Sequence, residues 1–286
     1  AQQETATVND RLMSAMIFAW GQFIDHDIDL TFTGSDPLSI AVPTGDPYFD
    51  PTASGTATIN TTRSLFDPST GTDASNPRQQ VNFITAFIDG SMVYGSDEAT
   101  ANSLRTFEGG RLKTSDGDLL PVDENGNFLA GDIRANENVG LVAMQTLFVR
   151  EHNFWADRIS SQNRSLTDEQ IYQKARERVI GEIQAITYNQ WLPALLGKGA
   201  IDPNRGYDAT VNPGVANEFS TAAFRFGHSL LGDDIEFLDN NGVAIREGVS
   251  LAEAFFNPSL VRETGIDPIL KYLSCDASSE VDTPRP

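Results

Sequence analysis

The sequence predicts a mainly α-helical domain with long irregular loops and little strand. Three observations carry that expectation. Apolar residues recur at three- and four-residue steps in several long segments, as one buried helical face requires. Alternation at every second residue, the signature of a half-buried strand, is rare. Proline, glycine and small polar residues collect between the periodic segments rather than inside them.

Taken in order, Leu12, Met13, Met16, Ile17, Trp20, Phe23 and Ile24 place residues 1–30 in one helix that ends on Asp25-His26-Asp27. Residues 34–80 read as loop, broken by Pro37, Pro43, Pro47, Pro51, Pro68 and Pro77. Residues 81–94 are apolar with Thr85, Asp89 and Ser91 interspersed, and Ser96-Asp97-Glu98 starts a short helix carrying Leu104. Turns return over 108–131, at Gly109-Gly110 and around Gly126. Three long helices are predicted next: Asp132 to about Ser160, Asp168 (after a Thr167 cap) to about Leu196, and Asn217 to Leu231. Short helices follow near 251–256 and 268–272.

The 286 residues are 40% hydrophobic, enough to bury a sizeable core. A net charge of −20 argues against nucleic acid and anionic membrane as partners, because both reward Lys and Arg. No run of 18 apolar residues could span a membrane. Cys275 is the only cysteine, so these residues form no disulfide among themselves. Composition leaves the oligomeric state open.

The chain holds three histidines: His26, His152 and His228. His26 lies between two carboxylates, with Gln22 one helical turn before it on the same side. Read alone, this is either a site or a polar helix end. His228 sits in Phe224-Arg225-Phe226-Gly227-His228, where apolar rings and a glycine leave space for a flat group to approach one ring nitrogen. The alternative is a core histidine bonded to a backbone carbonyl. Arg134 and Glu137 are three apart at a predicted helix start, a permanent cation beside a carboxylate; the commoner fate of such a pair is a solvated surface. Thr85, Phe87, Asp89 and Ser91 offer hydroxyl, carbonyl, carboxylate and hydroxyl oxygens in alternation, which suits a hard cation as well as it suits a small polar turn. His152 reads as a structural hydrogen-bonding residue.

These segments, in this order, resemble the animal-type haem peroxidases (the peroxidase–cyclooxygenase superfamily), over about residues 10–280. The resemblance implies one haem peroxidase-like domain over 1–286, partial, with haem b and Ca2+ as cofactors. His26, Arg134 and Gln22 match the distal catalytic residues. There the His takes a proton from one peroxide oxygen and returns it to the other, and a fixed Arg stabilises charge on the departing one. Asp25 and Glu137 match carboxylates that esterify the haem, His228 the proximal iron ligand, and Arg225 a partner for a haem propionate. Asp27 joins Thr85, Phe87, Asp89 and Ser91 as calcium ligands.

The implied activity is reduction of hydrogen peroxide with oxidation of halide, pseudohalide or small phenolic donors, in a secreted protein. Asn138 stands where some members carry a Met that makes a third haem link, which implies a less oxidising centre. The disulfide cysteines of mammalian members are missing, which implies a bacterial or minimal relative. A later helix with an Asn partner for the proximal His is not matched in Glu280–Pro286, so the chain reads as truncated at both ends. Two other functions compete. A fatty-acid dioxygenase of the cyclooxygenase branch needs a tyrosine three residues before the proximal His, and Arg225 occupies that place. A non-catalytic adhesion module would keep the fold without the chemistry.

Overall fold

The computed structural model describes residues 8–281. It is mainly helical, with 41% helix against 14% strand. It forms two compact units, one of residues up to 28 together with those from 85 onward, the other of residues 29–84.

The larger unit is built on α1 (Met16–Ile28), which buries Ile17, Ala19, Trp20, Phe23 and Ile24. The helix is shorter than the sequence predicts. Residues 1–7 of that expectation lie outside the described residues. Val8 and Ser14 instead make isolated bridges to Ser279 and Ala277. After the four-residue α2 (Ser91–Tyr94), Asp97 caps α3 (Glu98–Leu104) by accepting from Thr100 N, as Ser96-Asp97-Glu98 predicts.

The next helix, α4 (Val139–Gln162), begins seven residues later than predicted. Asp132 takes the Arg134 N–H on its side chain (2.8 Å), and Asn138 turns extended to accept from Leu141 N at 2.9 Å. Asp and Asn bonded locally to backbone in this way compete with helix, so the segment stays a turn. Phe23 of α1 stacks on Phe148 of α4 with ring centroids 5.2 Å apart, and Trp20 meets the same ring edge-on at 5.8 Å. Aromatic pairs of this kind add to burial and fix how the helices meet.

Thr167 and Gln170 close a capping box on α5 (Asp168–Ile186), which continues through a π-helical turn (Thr187–Trp191) into α6 (Leu192–Leu196). Pro193 has no N–H to donate back into the preceding turn, and the wider turn accommodates that loss. Two bonds tie this turn to α1: Trp20 Nε1 donates to Thr187 Oγ1 (3.1 Å), and Trp191 Nε1 donates to the Ile17 carbonyl (2.8 Å).

The predicted helix over 217–231 is not continuous. It splits into α7 (Asn217–Thr221) and a 3-10 stretch (Ala223–Leu230), separated by Ala222 at φ −134°. Phe, Gly, His and Ser are weak helix formers, and the Thr221 hydroxyl bonds back to the Asn217 carbonyl at 2.6 Å. Short helices α8 (Leu251–Ala254), α9 (Ser259–Thr264) and α10 (Asp267–Cys275) complete the unit, with a two-residue strand pair, Asp234–Ile235 and Val249–Ser250.

In the smaller unit, the expectation of loop over 34–80 is corrected. Strands β1 (Thr33–Ala41) and β2 (Thr58–Ser64) pair antiparallel, with Ile40 opposite Ile59 and an irregularity between Thr33 and Pro37. Almost every residue of both strands is exposed. A ribbon with no buried face needs no apolar alternation, so its period is invisible in the sequence.

His152 plays the structural part expected of it. Its Nε2 lies 2.8 Å from the Gly110 carbonyl, and its Nδ1 lies 3.0 Å from the Tyr94 hydroxyl. A carbonyl only accepts, so Nε2 carries the proton and Nδ1 accepts from Tyr94. Burial lowers its pKa to about 4. The folded value is below the unfolded one, so the stability held by the neutral ring is complete above pH 6.5 and is lost as pH falls toward 4. Across that window the loss amounts to about 3 kcal/mol. Unfolding free energies measured from pH 7 to 4 should show it, and His152→Gln should remove that share.

Candidate active site

The last turn of α1 turns inward because its apolar face is anchored on α4 and the π-helical turn. His26 and Asp27 are buried there, at 3% and 0% exposure. One cavity of about 310 Å3 is lined by Gln22, Asp25 and His26 from α1, Arg134 and Glu137 from the turn before α4, and Arg225 and His228 from the 3-10 stretch. All seven residues expected at a haem site therefore share one cavity. Ile17, Phe18, Trp191, Phe224, Phe226, Leu230, Leu231 and Phe255 supply apolar wall.

Arg134 and Glu137 come together by a route different from the one predicted. They lie in a turn, joined by Glu137 N–H to the Arg134 carbonyl (2.9 Å), and share no helical face. Arg134 is held by Asp132, with Nε to Oδ1 and Nη2 to Oδ2 both at 2.9 Å. A two-point bond of this kind fixes the guanidinium plane. Asp25 Oδ2 lies 3.6 Å from Arg134 Nη1 and 3.5 Å from Arg225 Nη1, between two cations.

His26 stands between two carboxylates from the turn, with Nδ1 3.8 Å from Asp132 Oδ1 and Nε2 3.6 Å from Glu137 Oε2. Its buried Nδ1 has no hydrogen-bond partner among the described residues. Burial, and then the Arg134 cation, lower its pKa to about 3, so the imidazole is neutral at physiological pH. Burial also raises the pKa of Glu137 above its ordinary value. Gln22 Nε2 donates to Glu137 Oε2 at 3.0 Å.

The expected calcium residues also gather, on the side of α1 facing the 85–91 loop. Asp27 Oδ1 accepts from Ser91 Oγ (2.8 Å) and Oδ2 from Gly90 N (3.1 Å); the Thr85 hydroxyl lies 3.2 Å from the Phe87 carbonyl. Asp89 Oδ1 accepts from Ser91 N at 3.1 Å. Burial raises the pKa of Asp27 to about 6. Among the described residues no group of three or more His, Cys, Asp or Glu could hold a metal, so a cation here would rely on two carboxylates and neutral oxygens. An all-oxygen set of that kind suits Ca2+.

Two residues that the sequence alone did not single out, Asp132 and Trp191, also shape the cavity, and Asn138 takes a part beyond the one expected of it. Asp132 binds Arg134, and Asp two residues before Arg is compatible with an Asx turn. Asn138 immediately precedes the apolar run of α4, where an N-cap belongs, and its Nδ2 also donates to Gln22 Oε1 at 2.9 Å. Trp191 carries no local signal, because the π-helical turn brings it to the cavity from far along the chain.

A mostly apolar cavity with two imidazoles, two guanidiniums and two carboxylates fits a flat apolar macrocycle bearing anionic arms. The chain belongs to the animal haem peroxidase family, which it matches over residues 1–284. Among curated relatives it is 33% identical to peroxinectin A of Dictyostelium discoideum, covering 98% of this chain and 56% of that protein. It is 37% identical to the mouse peroxidasin homolog, covering 92% of this chain and 21% of that protein. The chain thus spans about half or less of these relatives. Its structure is similar to that of peroxidase A from D. discoideum, with TM-score 0.88 and 32% identity over 98% of this chain and 59% of that one. A fatty acid alpha-dioxygenase from Arabidopsis thaliana, at TM-score 0.80 and 21% identity, shares the fold.

Proposed function

We propose that the chain carries the haem-binding and peroxide-cleaving residues of a haem peroxidase, which reduces hydrogen peroxide and oxidises small donors. The observation that supports it most is the single cavity shared by Gln22, His26, Arg134, Glu137 and His228. Bound haem would supply the iron that binds peroxide and stores the oxidising equivalents. His228 would hold that iron through a ring nitrogen, Asp25 and Glu137 would form the ester links, and Arg225 would pair with a propionate. Phe224, Phe226 and Leu230 would keep water from the ring.

His26 then works through its neutral form. With the proton kept on Nδ1, which faces Asp132, Nε2 is the free acceptor. It takes a proton from one peroxide oxygen and returns it to the other. Arg134, fixed by Asp132, offers a cation that cannot be deprotonated to the oxygen that leaves with negative charge. Gln22 orients the water or anion beside His26. Asn138 in place of the Met that links haem in some members favours bromide, iodide, thiocyanate or phenols over chloride. Arg225 at the radical tyrosine's place makes the dioxygenase the weaker reading. Titration with haemin should give a saturable Soret band, followed by peroxide-dependent oxidation of bromide without oxygen uptake on linoleate. A chain that folds yet gives no Soret band would sink this proposal.

The calcium set is part of the same reading. A cation at Asp27 would fix the helix end that carries His26, acting on the imidazole through its neighbour. Saturating Ca2+ at about 100 times its Kd should stabilise the fold by about 3 kcal/mol. EDTA should reverse that shift in thermal denaturation, and Asp27→Asn should abolish it. Equal melting curves with and without EDTA would remove calcium from the account. We further propose that residues 1–286 belong to one partial peroxidase domain, supported by the family match over 1–284. We also propose an extracellular location, which the family resemblance supports.

A further inference from the structure

We infer that Asn138 is a positioning residue that sets which end of the Gln22 amide faces Glu137, the carboxylate beside His26. The inference rests on the peroxidase reading only for its consequence; the geometry stands without it. Asn138 caps α4 and reaches α1 with the two ends of one amide. Its Oδ1 accepts from Leu141 N at 2.9 Å, and its Nδ2 donates to Gln22 Oε1 at 2.9 Å. Gln22 Nε2 then donates to Glu137 Oε2 at 3.0 Å, the oxygen that lies 3.6 Å from His26 Nε2.

The direction of this chain is determined at one end. The first N–H groups of a helix need acceptors, so the end of Asn138 facing Leu141 must be its oxygen. That leaves only an NH2 to face Gln22, and an NH2 can meet only the Gln22 oxygen. The NH2 of Gln22 is thereby turned toward Glu137. A free glutamine amide can rotate by half a turn and exchange donor for acceptor. Here the helix terminus, through Asn138, removes that freedom.

The setting supports the assignment. Asn138 is extended at φ −151° and its backbone is bridged to Phe255, which also lines the cavity. The absence of a side chain on Gly140 leaves room for the Asn138 oxygen, since a Cβ there would lie 3.1 Å from Oδ1. The consequence is chemical. Gln22 meets the cavity with its NH2, and the N–H not given to Glu137 favours an anion or a peroxide oxygen over a cation or a donor group.

Three variants separate this role from simple capping. Asn138→Ser and Asn138→Asp both keep an acceptor for Leu141 N and lose the NH2 that meets Gln22: the carboxylate has no proton to give, and the single serine hydroxyl ends one atom short of the amide nitrogen it replaces. Asn138→Ala loses both functions. In the protein without haem, labelled with 15N at glutamine, the Gln22 NH2 pair is identified by its loss in Gln22→Ala. We expect its exchange with solvent to quicken about tenfold or more in all three variants. The folded-to-unfolded ratio should fall about fivefold in Asn138→Ala and stay near wild type in Asn138→Ser.

In haemin-loaded protein, thiocyanate binding followed in the Soret region should weaken about tenfold in Asn138→Ser, the scale of one hydrogen bond to a charged group. Agreement between the neutral Ser and charged Asp variants excludes repulsion as the cause. Unchanged exchange of the Gln22 amide in Asn138→Ser overturns the inference, whatever haemin does. Failure of haemin to bind with altered amide exchange counts against the peroxidase reading alone.

Discussion

Replacing His26 with alanine is expected to slow the reaction with hydrogen peroxide by about a thousandfold, within the range that one positioned acid–base group contributes. The expectation follows from the state of the ring. Burial and the Arg134 cation keep it neutral, and no other imidazole lines the cavity except His228. Glu137 lies nearby but is tied to Gln22, and Asp132 is tied to Arg134. Stopped-flow mixing with peroxide reads the effect directly, and the Soret spectrum shows whether haem is still held. Rapid reaction in a His26→Ala protein with normal haem content would remove His26 from the mechanism.

The second large effect concerns His228. Its replacement by alanine should weaken haemin binding by about a hundredfold or more, since loss of a partner one shell further out already costs ten- to a hundredfold. The segment that carries it is a 3-10 stretch whose neighbours Phe224 and Phe226 face the same cavity. The cavity therefore survives the change, and added imidazole should restore part of the ligation and of the Soret band. His152→Ala provides the contrast. Its ring is bonded to Tyr94 and Gly110 outside the cavity, so its loss should lower stability and leave the haem spectrum of the folded protein unchanged. An unaltered haemin affinity in His228→Ala would assign the proximal role elsewhere.

Much of this was legible because the residues that carry it are local in sequence. The Gln22–His26 step is one turn of a helix whose apolar face is plain in the chain, and both side chains reach the cavity. The Thr167 capping box and the Asp97 cap follow from side chains that bond their own backbone a few residues on. The corrections have one common cause. At 132–138 and 217–230 an apolar pattern compatible with helix was overridden by Asp, Asn and Thr side chains that claim backbone groups, and by weak helix formers. The ribbon at 33–64 was missed because neither of its faces is buried.

By itself, the sequence determined which groups are available: three imidazoles, a guanidinium beside a carboxylate, an oxygen-rich loop, and helices to carry them. It also determined the helix face that positions His26, because a 3.6-residue period is a property of the chain alone. Only the tertiary structure decided which of these groups meet. The placement of Asp132 against His26, the arrival of Trp191 at the cavity and the bonds from Gln22 to Asn138 and Glu137 all join residues whose separation in sequence says nothing of their distance. Burial likewise lowered the pKa of His26 and raised that of Asp27, because desolvation depends on what surrounds a group and not on what it is.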